Sequence, residues 1–249
     1  MSTFKIGVAS VTFRNRAIEE IVEICTNNQI KFIEWGADVH VKTKEDALKA
    51  KELCDNANIK ISSYGSYYRV GSNKTEEWIA LCENASIMGA ESVRVWLGNK
   101  DSEETNNEEY ENILEESKTL CDIANKYNLI VSPECHDNTF NNNTDAILRL
   151  IKDLNKDNFK TYFQSRYFRM EYDIDRIDRT FAHILNMHVS YSDLKREQMF
   201  RKKDENYLDT LLKKMISKEF DGIIILEFTQ DSSENAFAED IRKLKTYTF

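Results

Sequence analysis

Residues 92–137 read SVRVWLGNKDSEETNNEEYENILEESKTLCDIANKYNLIVSPECHD. Ser92-Val93-Arg94-Val95-Trp96 is short, β-branched and aromatic, which is strand composition. Across Glu108 to Tyr127, the residues Ile113, Leu114, Leu120, Cys121, Ala124 and Tyr127 recur close to every 3.6 residues, as on the buried stripe of a helix. Leu129-Ile130-Val131-Ser132 then resumes a short apolar run. A strand, a covering helix and a second strand predict parallel neighbours joined by a crossover.

The same cycle repeats in both directions. Towards the N-terminus the strands are Lys5 to Ala9, Phe32 to Trp35 and Ile59 to Tyr64, with helices beginning at Ile18 and spanning Lys44 to Asn58 and Thr75 to Met88. Towards the C-terminus they are Phe159 to Phe163, Ile184 to Val189 and Gly222 to Phe228. Helices are expected over Asp145 to Leu154 and Tyr207 to Lys218, with a short helical turn near Asp175 to Phe181 and a last helix carrying Phe237, Ile241 and Leu244. Thr144 reads as the N-cap of the helix that follows it. Eight cycles at roughly 30-residue spacing predict a (β/α)8 TIM barrel, one α/β domain over residues 1–249. An open doubly wound sheet shares this periodicity. No GxGxxG or GxxxxGK[ST] follows any strand, which counts against its nucleotide-binding versions.

The bulk numbers narrow the function classes. With 41% hydrophobic and 31% charged residues the chain is globular, and no apolar run approaches the roughly 18 residues of a membrane span. Met1 to Lys5 leads straight into the first strand without a secretory layout, so a cytoplasmic protein with no membrane partner is expected. Five scattered cysteines without a CxxC pair argue against disulfides or a structural zinc knot. A net charge of −9, from 34 basic and 43 acidic residues, argues against a nucleic-acid partner. The one basic cluster, Lys195 to Lys203, is interrupted by acids and suits a loop reaching a phosphorylated ligand, with Lys195 as the candidate contact.

In a barrel, chemistry collects where strands end at their C-termini. His40, His136 and His188 fall there, whereas His183 precedes a strand and reads as structural. Glu134 and Glu227 close otherwise apolar strands, an expensive placement unless something pairs with them. Either a neighbouring Lys or Arg neutralises them, or Glu134, His188 and Glu227 converge as O/N/O ligands of a divalent metal, Mn, Mg, Co or Zn. The same rim carries Glu34, Trp35, Asp38, Tyr64, Tyr67, Tyr68, Arg69, Arg94 and Trp96.

These residues together resemble the xylose isomerase-like TIM-barrel superfamily of sugar and sugar-phosphate isomerases and epimerases. The resemblance runs over the whole chain through Ile33 to His40, Ser63 to Arg69, Glu134-Cys135-His136, Met187-His188-Val189 and Leu226-Glu227-Phe228. It implies a metal held by Glu134, His188 and Glu227, with Gln164 standing where the family has an Asp. Glu171 and Asp173 lie too far along the chain to replace that Asp. It further implies that Glu134 and Glu227 act as an acid/base pair beside a substrate carbonyl, through an enediolate. His40, Tyr64, Arg94, Trp96, His136 and Lys195 would contact a small sugar or sugar phosphate, and Trp35 and Trp96 are candidates for stacking on its face. Barrels of this type often pair, so a homo-oligomer is expected. Dehydratase or lyase chemistry on sugar acids uses nearly the same site, and a sugar-binding barrel without metal or catalysis is the reading that Gln164 favours. The multi-zinc nuclease version needs more histidines than the four present.

Overall fold

The computed structural model describes residues 4–165, 169–191, 207–229 and 233–247. Eight parallel strands are β1 (Lys5–Ala9), β2 (Phe32–Gly36), β3 (Lys60–Val70), β4 (Ser92–Leu97), β5 (Ile130–Pro133), β6 (Thr161–Phe163), β7 (Ile184–Val189) and β8 (Ile223–Leu226). They hydrogen-bond in the order β5-β4-β3-β2-β1-β8-β7-β6, a nearly closed (β/α)8 barrel. The described helices are α1 (Ile18–Asn27), α2 (Lys44–Asn56), α3 (Thr75–Met88), α4 (Asn107–Asn125), α5 (Thr144–Leu154), α6 (Met170–Thr180), α7 (Tyr207–Ser217) and α8 (Glu234–Leu244). Among the described residues no helix is long and apolar enough to cross a membrane.

Local chemistry sets the helix ends. Thr43 and Asp46 form a reciprocal capping box on α2, as Asn106 and Glu109 do on α4. The cap of α5 is Asn143, which accepts from the Asp145 and Ala146 amides, one residue earlier than the sequence suggested. The sixth crossover holds a full helix rather than a short turn. The buried face of α6 is Asp173, Arg176, Ile177 and Thr180, so its helical period is carried largely by polar residues that a hydrophobicity pattern does not register.

Strand parity decides what faces the axis. A small cluster of Ala9, Val11, Tyr162, Ile223 and Ile225 fills the barrel interior. The larger core, which includes Trp35, Tyr64, Trp78, Val93, Val95, Phe163 and Phe237, lies between strands and helices. Cys25, Cys54, Cys82, Cys121 and Cys135 are all buried and none is in a disulfide.

The ladder is interrupted between β5 and β6. Only an isolated bridge, Val131 to Phe159, joins them, flanked by Val131 N to Asn158 O at 2.8 Å and Lys160 N to Val131 O at 3.0 Å. Nearer the C-terminal rim, side chains take over. The Pro133 carbonyl accepts from Asn141 Nδ2 and from Thr161 Oγ1, each at 3.1 Å. Arg176 in turn donates to Asn141 Oδ1 at 2.6 Å.

Candidate active site and metal centre

Alternation along the strands brings Glu34 (β2), Arg94 (β4), Glu134 (just past β5), Tyr162 (β6), Asn186 and His188 (β7) and Glu227 (just past β8) together, and all seven are buried. Donor atoms of Glu134, His188 and Glu227 lie within 4.8 Å of one another. His188 Nδ1 is 3.4 Å from Glu134 Oε1, 3.4 Å from Glu227 Oε2 and 3.1 Å from Gln164 Oε1. Ligands about 2.1 Å from a common divalent ion are separated by roughly 3.0 to 3.4 Å, so the observed edges fit a metal polyhedron. The donors, two carboxylates, one imidazole and one amide oxygen, suit a hard or borderline ion. Glu171, exposed, and Asp173, bonded to Ser165 and Tyr207, stand apart from this group.

The alternative of a paired carboxylate is also realised, through Arg94. Its Nη1 donates to Glu134 Oε2, and its Nε donates to Glu34 Oε1 at 3.1 Å. Trp96 Nε1 donates to the same Glu134 oxygen at 2.6 Å. On the far side of Glu34, Tyr162 OH donates to Oε2 at 2.9 Å and itself accepts from Asn186 Nδ2 at 3.0 Å. Space for this network comes from Gly65 on β3: a Cβ there would sit 2.9 Å from Arg94 Nη2 and 3.0 Å from Glu34 Oε1.

Electrostatics follow from this packing. Burial alone would raise the Glu134 carboxyl, but Arg94 and His188 hold it well below the ordinary carboxylate range. Burial likewise disfavours charge on His188, yet Glu227 and Glu34 raise its pKa well above 6.5. A metal ion would compete with a proton for this imidazole.

The sequence-derived substrate contacts divide into groups. Trp96 and His136 are together at the rim, their rings stacked 4.6 Å apart, and Arg69 lies against the same Trp96 ring at 4.4 Å. That ring is already packed against two side chains, and Trp35 is fully buried in the outer core, so neither tryptophan offers a free stacking face. Arg94 lies in the carboxylate cluster rather than on the rim. Tyr64 points outward, its hydroxyl donating to the Val41 carbonyl at 2.7 Å. His40 is buried, its ring nitrogens 3.0 Å from Ser10 Oγ and 3.2 Å from the Phe13 carbonyl. Lys195 lies outside the described residues. Tyr162 and Asn186 escaped notice in the sequence; their signal was a polar atom at the inward parity of an apolar strand.

A small cavity of about 30 Å³ opens beside the ligand group, lined by Gln164, Ser165, His188, Tyr207 and Glu227 among others. A larger one of about 320 Å³ lies by Arg69, Gly98, Lys100 and Asn112. The smaller is the candidate site, because Gln164, His188 and Glu227 converge there.

Comparison with known proteins agrees with the fold. A 3-dehydroshikimate dehydratase from Bacillus anthracis is 22% identical over 167 residues, which cover 63% of this chain and 60% of that protein, less than two thirds of its length. The crystal structure of a probable 3-DHS dehydratase from Bacillus anthracis has a TM-score of 0.77 at 15% identity, covering 98% of this chain and 100% of the other. The apo structure of 3-keto-D-glucoside 4-epimerase from E. coli has a TM-score of 0.78 at 11% identity, again with coverage of 98% and 100%. Residues 20–247 match the family model for the xylose isomerase-like TIM barrel, and the chain belongs to that family.

Proposed function

We propose that this protein is a metal-dependent enzyme that moves a proton on the carbon beside a carbonyl of a small sugar or sugar phosphate, as an epimerase or isomerase. The observation that carries the reading is the convergence of Glu134, His188 and Glu227 at three strand ends. With Gln164 they would hold Mn²⁺, Mg²⁺, Co²⁺ or Zn²⁺, which polarises a carbonyl oxygen and acidifies the neighbouring C–H. Glu227, which lines the small cavity, and Glu134, kept ionised by Arg94, are the two carboxylates available to take and return that proton. Return to the opposite face of the same carbon gives an epimer; return to the adjacent carbon gives an isomer. His136 at the rim would orient a substrate hydroxyl, and Trp96 holds Glu134 through its indole N–H.

The sequence match to a 3-dehydroshikimate dehydratase favours a second reading. There the first proton abstraction is the same, and loss of the β-hydroxyl as water replaces reprotonation. Incubating metal-loaded protein with keto sugars, their phosphates and cyclic hydroxy-keto acids in D₂O, followed by NMR, separates the two. Deuterium at the exchanged carbon with a new epimer or isomer supports the first; a conjugated carbonyl absorbing in the ultraviolet supports the second. Glu134→Gln and Glu227→Gln are both expected to abolish exchange, and activity retained in both overturns the acid/base assignment. Binding without exchange would leave a sugar-binding barrel.

A further inference from the structure

The guanidinium of Arg94 is only 2% exposed and is committed at two ends. One end is on Glu34, which Tyr162 and Asn186 hold in turn; the other is on Glu134 Oε2, shared with the Trp96 indole N–H. Only Glu134 Oε1 is left facing His188 Nδ1, at 3.4 Å. Gly65 lacks the atom that would displace the guanidinium, so the cation sits in a cradle shaped for it.

We propose that Arg94 is a resident cation that competes with the divalent ion for Glu134 and keeps that ion exchangeable. This rests on the metal reading of Glu134, His188 and Glu227. A guanidinium keeps its charge at every working pH, so it cannot step aside by losing a proton as His188 can. Its charge opposes a second cation on the same carboxylate, and its hydrogen bond occupies one of the two oxygens. Gln164, which supplies no charge where the family has an Asp, acts in the same direction. When the ion leaves, Glu34 and Glu134 still share the Arg94 charge, so neither is left as a buried carboxylate without a cation beside it. Arg94 is thus a positioning residue that acts through Glu134.

The test is calorimetric titration of EDTA-stripped wild type, Arg94→Lys and Arg94→Met with Mn²⁺, with circular dichroism melts to establish folding. Arg94→Met should bind about tenfold more tightly, the scale on which one neighbouring charge shifts an ionic equilibrium. Arg94→Lys retains the charge and should stay close to wild type. A folded Arg94→Met with wild-type or weaker affinity overturns the proposal. Binding by Arg94→Met where wild type shows none supports it in its strongest form. If neither binds, the metal reading fails and the proposal with it; if wild type binds and Arg94→Met gains nothing, only the resident cation fails. Should Arg94→Met not fold, ¹⁵N spectra of the wild-type arginine side chains, titrated with Zn²⁺, decide. The Arg94 Nη signal must move as its partner Glu134 is drawn to the ion, and an unchanged signal at saturation overturns the idea.

Discussion

The Tyr162 hydroxyl donates to Glu34 Oε2 at 2.9 Å, linking β6 to β2 across the barrel axis between side chains 128 positions apart. Both are fully enclosed, so no solvent can replace either partner. Tyr162→Phe leaves a buried carboxylate oxygen and the Asn186 amide short of a partner. A loss of about 1–3 kcal/mol in unfolding free energy is expected, read from denaturant melts.

Glu34 also ties stability to pH. Burial alone would raise its carboxyl, but Arg94 and His188 hold it at about 2 against an ordinary 4.5. A depressed folded pKa contributes stability that is complete above about 4.5 and lost as the pH falls towards 2. A shift of this size corresponds to ~3 kcal/mol. EDTA-treated wild type should lose stability steeply in that window, and Glu34→Gln should show a shallower acid slope in the same series of melts.

On the proposed metal reading, Gln164 leaves the ligand group one negative charge short. Gln164→Glu keeps the side-chain length that puts its oxygen 3.1 Å from His188 Nδ1 and adds one negative charge. Mn²⁺ affinity should rise about tenfold by calorimetry, because ligand charge count tunes the binding of hard ions. Equal or weaker binding would show that this position does not reach the ion.

Gly65 can be tested by a single methyl group. Gly65→Ala would place a Cβ 2.9 Å from Arg94 Nη2, and Arg94 is bonded at both ends and has little room to yield. Crowding of this kind costs about 1–3 kcal/mol, visible as a lowered midpoint in thermal or denaturant melts.

Alternating apolar runs were enough to read the barrel, because each strand needs a covering helix and each helix an apolar stripe. The ends of β5, β7 and β8 were legible for a related reason: Glu134, His188 and Glu227 close or interrupt largely apolar strands. The orientation of β3 was not legible. It runs for 11 residues rather than the six expected, and its pairing with β2 shifts register where Ile33 and Glu34 oppose Ile61 and Ser63. Counting parity from the sequence gives no warning of that shift, and Tyr64 points outward to the Val41 carbonyl rather than to the axis. The Arg94 network was hidden differently: Glu34, Arg94 and Glu134 are separated by 60 and 40 positions, and only closure of the barrel makes them neighbours.

The interrupted ladder between β5 and β6 gives the proposed ligand cage one compliant wall. Glu134 and Gln164 follow directly from the two strands whose rim ends are stitched by the Asn141 and Thr161 side chains to the Pro133 carbonyl. Each such bond contributes only about 1 kcal/mol net, far less than a cooperative run of backbone pairs. The distance between an acidic and an amide ligand can therefore dilate by small rotations of Asn141, without rupture of the sheet. On the proposed metal reading, ions of unequal radius can then be accommodated by the same four side chains, and selectivity among metals falls to charge and donor type rather than to the bore of a rigid ring.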